Sequence, residues 1–277
     1  MNVPPVNLLL TPLKGALTGI AMLIPGVSGG TMAIILGIYD HIIHAISTFF
    51  RDWKKNTLYL LAVGIGAAAG IGLFSNLISR ALDHFRHPMI YLFLGIVIGG
   101  LPVLFRHIQN PEKKKADSLF LFIGLVIVLL MTLEPAAIVN LSQGTGILNF
   151  IFLVLAGVII AVALILPGIS TSFMLLTLGL YEPTIDAVKT FNLAFLIPVL
   201  LGCLLGVITT TRILETLLNK HTRKTYLLIL GFVLGSIMQI FPGIPQGMDI
   251  LYCLLTLATG YLAIRALSRY FDRVEAE

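Results

Sequence analysis

Long apolar runs alternate with short polar gaps along the 277 residues. The runs fall at about 8–24, 31–39, 57–79, 89–105 and 119–139, then at about 147–166, 173–181, 193–211, 226–241 and 249–264. Most approach the ~20 residues that a helix needs to cross a ~30 Å hydrocarbon core. No ten-residue alternation of apolar and polar positions occurs, so the pattern predicts membrane helices and not a β-barrel. Composition narrows this further: 57% of the residues are hydrophobic, 11% are charged, and the mean hydropathy is +0.99. A soluble domain carries about 25% charged residues. A soluble enzyme, a disordered chain and a disulfide-rich secreted module are therefore excluded. The roughly 158 hydrophobic residues allow at most about eight spans.

The two sets of runs resemble each other. Residues 25–40 read PGVSGGTMAIILGIYD and residues 167–182 read PGISTSFMLLTLGLYE. At an offset of 142, seven of the 16 positions are identical, and Gly15 and Ala21 also match Gly157 and Ala163. Further on, at an offset of 136, Gly66, Gly70, Gly95 and Gly99 match Gly202, Gly206, Gly231 and Gly235. This is the mark of an internal duplication. The first repeat occupies 1–142, with a hairpin at 8–50 and spans at 57–79, 89–105 and 119–139. The second occupies 143–277, with a hairpin at 147–190 and spans at 193–211, 226–241 and 249–264.

Each hairpin is interrupted by Pro-Gly. Proline cannot donate the i→i−4 hydrogen bond and its ring clashes with the preceding turn. After the break, the stretch 31–39 has nine residues, about 14 Å of helix and half a bilayer core. Each hairpin therefore reads as re-entrant, its apex near mid-membrane; two complete spans joined by a tight turn is the other reading. The basic gaps (Arg51, Lys54, Lys55; Arg106, Lys113–Lys115; Lys220, Arg223, Lys224; Arg265, Arg269, Arg273) are expected on the cytoplasmic side. That places both termini in the cytoplasm and gives each half an odd number of crossings, so the repeats are inverted, as in alternating-access transporters. The gap 80–87 dissents: it should lie outside, yet it holds Arg80 and Arg86. The first charge is Lys14, with no basic n-region before it, so no cleaved signal peptide is expected.

The apices are Pro25, Gly26, Val27, Ser28, Gly29, Gly30 and Thr31 in one copy, and Pro167, Gly168, Ile169, Ser170, Thr171 and Ser172 in the other. Irregular backbone at membrane depth must be buried in protein or line a cavity. Small residues and hydroxyls at the start of a short helix suit an anion such as a phosphate or carboxylate; simple helix capping by Ser28 and Ser170 is the plainer alternative. Asp40 and Glu182 occupy equivalent positions, either as interfacial charges or as titratable carboxylates for coupling to H+ or Na+. Lys14 and Arg212 can meet an anionic substrate or snorkel to the surface. His41 and His44 read as interfacial, and Cys203 and Cys253 as small core residues. No metal or cofactor motif is present. Gly26-Val27-Ser28-Gly29 matches the GxSG of intramembrane serine proteases, but no histidine lies in the downstream runs to activate the serine.

At the paired motifs, PGVSGGT…GIYD and PGISTSF…GLYE, the chain resembles the bacterial polyprenyl-phosphate transporter family over essentially its whole length. Thr171 stands where that pattern has glycine or another small residue. The resemblance implies an all-α polytopic protein of the bacterial cytoplasmic membrane. It implies a transporter, not an enzyme, that returns undecaprenyl phosphate across the bilayer for cell-envelope synthesis. On the same resemblance, Ser28, Gly29, Gly30, Ser170 and Ser172 face the phosphate headgroup. The partners implied are the polyprenyl phosphate and membrane lipid, with no nucleic acid. A secondary transporter of a small soluble anion is the runner-up.

Overall fold

The computed structural model describes residues 7, 9–24, 28–109, 117–131 and 146–274. Pro25, Gly26 and Val27 of the first apex, the end of the 119–139 run and the junction near 142 lie outside the described residues. Among the described residues the fold is entirely helical. In chain order the helices are α1 (Leu10–Met22), α2 (Gly29–Ile35), α3 (Tyr39–Ser47), α4 (Trp53–His84), α5 (Arg86–Ile108), α6 (Ser118–Met131), α7 (Ile147–Ile165), α8 (Thr171–Thr177), α9 (Tyr181–Lys189), α10 (Leu193–Lys220), α11 (Thr222–Ile240) and α12 (Asp249–Val274).

Six of these (α4, α5, α7, α10, α11 and α12) are long and apolar enough to cross a membrane, so the chain is a multi-pass membrane protein. Several outrun the apolar runs that announced them: α10 continues to Lys220 and α12 to Val274. Hydropathy registers the part of a helix that sits in hydrocarbon; the polar ends stay helical because their backbone hydrogen bonds cost nothing extra outside it. Large side chains such as Leu73, Leu204 and Leu262 point outward, as lipid-facing positions do.

The glycines determine how the long helices meet. Gly66 and Gly70 of α4 lie against the backbone carbonyls of Pro12 and Ala16 on α1. Their counterparts Gly202 and Gly206 of α10 lie against Val154 and Val158 on α7. Gly95 and Gly99 of α5 face Leu257 and Tyr261 on α12, and Gly231 and Gly235 of α11 face Leu121 and Val128 on α6. A Cβ at any of these positions would stand where the neighbouring helix now sits. Close approach of small residues replaces the hydrophobic drive that lipid cannot supply. The α5–α12 and α6–α11 pairs each join a helix from one half to a helix from the other.

One element was not expected. The stretch after each apex is not a single arm but two helices meeting at a sharp corner, α2 and α3 bending by 113°. The corner is a Schellman motif: Gly37 has φ +73°, its N–H donates to Ile34 O, and the Ile38 N–H donates to Ala33 O (3.0 and 2.9 Å). The second copy repeats it, with Gly179 at φ +65° donating to Leu176 O and Leu180 to Leu175 O. Gly-Ile-Tyr-Asp and Gly-Leu-Tyr-Glu are therefore helix stops followed by fresh helix starts. At seven residues each, α2 and α8 reach about 10 Å and cannot cross a bilayer core.

Candidate functional site

The two apices meet. A Cβ built on Gly30 would lie 3.2 Å from Pro167 Cα. Tyr39, at the head of α3, donates its hydroxyl to Ile165 O (2.9 Å), one of the carbonyls left without an intrahelical partner at the end of α7. Gly168 has φ +84° and packs directly on the Phe232–Val233 backbone of α11, a position that only glycine can fill. Ser28 and Ser170 share one extended backbone conformation, φ −83° and −82°. Their side chains differ: Ser170 accepts from the Phe173 N–H at 3.3 Å, whereas Ser28 makes no capping bond. Capping thus accounts for one serine of the pair and not for the other.

Ser28, Gly29 and Gly30 from one apex, and Ser170, Thr171 and Ser172 from the other, line a single cavity of about 630 Å³. The rest of its wall is mostly aliphatic and aromatic, including Met22, Ile42, Ile46, Leu164 and Val207. The space has a hydroxyl-rich end and an oily flank, the shape of a site for an amphiphile. No histidine is among its described lining residues.

The remaining candidates are spread more widely. Thr31 is buried beside the apex, and its hydroxyl has no partner among the described residues. Lys14 is buried (2% exposed), with Nζ 4.9 Å from the centroid of the Phe271 ring, and lines neither this cavity nor the neighbouring one. Arg212 is exposed and also lines neither. Asp40 accepts from the Tyr226 hydroxyl with both carboxylate oxygens (2.8 Å each), and His107 stacks on Tyr226 at 4.3 Å. Glu182, its equivalent, is exposed and unpaired among the described residues.

Four features escaped the sequence reading. His44 and Ser47 of α3 both bond the Glu215 carboxylate of α10. Tyr226 holds Asp40. Tyr39 ties the first half to the second apex. Arg86 lines a second cavity of about 780 Å³ that shares Ser170, Ser172 and Leu176 with the first. Only Arg86 had left a signal, as a positive charge in a gap that the charge rule assigned to the outside.

Fold and site together define a helical multi-pass membrane protein in which the residues following two Pro-Gly pairs line one cavity. The chain belongs to the undecaprenyl phosphate translocase-like family, whose profile matches residues 18–247. It is 33% identical over 256 residues to the polyprenyl-phosphate transporter of Vibrio cholerae serotype O1, covering 86% of this chain and 79% of that one. It is 34% identical over 273 residues to the polyprenyl-phosphate transporter of Staphylococcus aureus, covering 93% and 95%. No solved structure matches significantly.

Proposed function

We propose that this protein moves undecaprenyl phosphate, a polyprenyl monophosphate, from the outer to the inner leaflet of the bacterial cytoplasmic membrane. The phosphate is held between the two apices while the isoprenoid tail stays in lipid. One observation carries the reading: both apices, 137 residues apart at Gly30 and Pro167, line one cavity with a hydroxyl-rich end and an apolar flank. Burying a bare phosphate in hydrocarbon costs many kcal/mol unless polar groups replace its water. Ser28, Ser170, Thr171 and Ser172 supply such groups here. A small hydrophilic anion would find no use for the aliphatic wall, which favours a lipid over the soluble-anion alternative. The relatives named as polyprenyl-phosphate transporters point the same way.

Transport proceeds by alternating access between two inverted repeats, with both termini cytoplasmic. Asp40, docked on Tyr226, and the exposed Glu182 are the carboxylates through which H+ or Na+ couples to the cycle. The test is to measure outer-leaflet undecaprenyl phosphate in cells with and without the protein. Expression should lower it. Ser28→Ala combined with Gly29→Leu should abolish that effect while membrane insertion stays normal. Retained transport in the double variant would refute the apex site.

A further inference from the structure

The 780 Å³ cavity continues from the apex cavity across Ser170, Ser172 and Leu176. Its walls are largely apolar (Leu82, Ile90, Phe173, Ile240), and Arg86 is the only basic residue that lines it among the described residues. Two other arginines are occupied: Arg106 pairs with Asp272 at 2.7 Å, and Arg223 pairs with Asp117 at 3.1 Å while also donating to Ile108 O; the exposed Arg212 lines neither cavity. The Arg86 guanidinium makes no ion pair or hydrogen bond among the described residues. Asp83 lines the same cavity, yet no ion pair joins the two. Topology does not explain Arg86 either, since it lies in the gap that the charge rule places outside. An unoccupied guanidinium presents five donors in a fork that matches a phosphate. Set against an oily wall, it selects an anion that carries an apolar body.

We infer that Arg86 is the receiving station for the substrate: it pairs with the phosphate of a lipid monophosphate in the larger cavity before the head passes over Ser172 and Ser170 to the apices. The inference rests on the lipid-phosphate reading and adds the cation that reading lacks. Asp83 opposes the same charge and tunes the station, keeping the phosphate from being held too tightly to move on.

The test uses the full-length protein in liposomes with a fluorescent short-chain polyprenyl phosphate, comparing wild type with Arg86→Gln, Arg86→Lys and Asp83→Asn. Removing one charge-assisted bidentate contact should raise the half-saturating lipid concentration by about tenfold in Arg86→Gln and leave the saturated rate within about twofold. The wild-type value should rise with added salt, and that of Arg86→Gln should not. Arg86→Lys should fall between the two, and Asp83→Asn should bind the lipid more tightly than wild type. Arg86 is exposed, so unchanged elution on size exclusion is expected for every variant. Wild-type affinity and salt dependence in Arg86→Gln would overturn the station while leaving the proposed function standing. A wild-type protein that moves no lipid phosphate would overturn both. At matched ionic strength inorganic phosphate should raise the wild-type value no more than chloride does; a phosphate-specific rise seen in wild type and lost in Arg86→Gln would assign the station to free phosphate and overturn the lipid assignment.

Discussion

Gly37 and Gly64 separate two roles that glycine plays in this chain. Neither has an atom within 4 Å of where a Cβ would go. Gly37, however, sits at φ +73°, where an L side chain meets its own backbone, whereas Gly64 lies within helix α4. Gly37→Ala should therefore cost about 1 kcal/mol of stability with no clash to blame. Gly64→Ala should cost nothing, and a detergent melting series on the two variants checks this. Gly30 is a third case, limited by the facing Pro167. Gly30→Leu should wedge the apices apart and stop transport, while a variant on the lipid face such as Leu73→Ala transports normally.

At the scale of elements, the two copies of the corner helix behave differently. Helix α3 is held on the second half by Asp40–Tyr226 and by His44 and Ser47 on Glu215. The equivalent positions in α9 are Glu182, Asp186 and Lys189, all exposed. The position matching Glu215 on α4 is Ser79, and that matching Tyr226 on α5 is Ile90. Both line the 780 Å³ cavity. Glu215→Ala should loosen α3, so its amides should exchange faster in deuterium while those of α9 stay unchanged. The glycine seams make a separate prediction. Gly66→Leu and Gly202→Leu each push a side chain into the partner helix backbone, and overpacking of this kind costs about 1–3 kcal/mol or more. Both should lower the melting temperature in detergent by similar amounts, because the two seams are alike.

For the whole molecule, on the proposed alternating-access reading, the docked α3 and the exposed α9 would describe one end of a cycle. On that proposal, swapping the roles of the halves would yield the other, with α9 closed against α4 and α3 released from α10. Cysteines placed at Ser79 and Asp186, the positions equivalent to Glu215 and His44, should crosslink only when the transporter visits that second state. The crosslink should stop transport, and reduction should restore it. A pair that never crosslinks under turnover would count against alternating access by exchange of repeat roles.

Membrane class, the all-helical fold and the small residues that follow each Pro-Gly were legible along the chain, because each is a local property. An apolar run long enough to span is costly in water wherever it occurs, and small residues are read directly from the sequence; proline alone is a weaker signal, since Pro102 and Pro198 lie inside continuous helices. The corner at Gly37 and Gly179 was written in the same motifs but went unread, since its glycine is one of many and only the hydrogen bonds of Ile38 and Leu180 distinguish a helix stop from a flexible point. Other features required tertiary structure: that Gly30 touches Pro167, that Tyr226 and Glu215 receive α3, and that Lys14 goes to Phe271 while Arg86 is left facing a cavity. Hydropathy records which residues leave water. Which of them then face one another depends on the packing of helices far apart in sequence, and here the glycine seams set that packing.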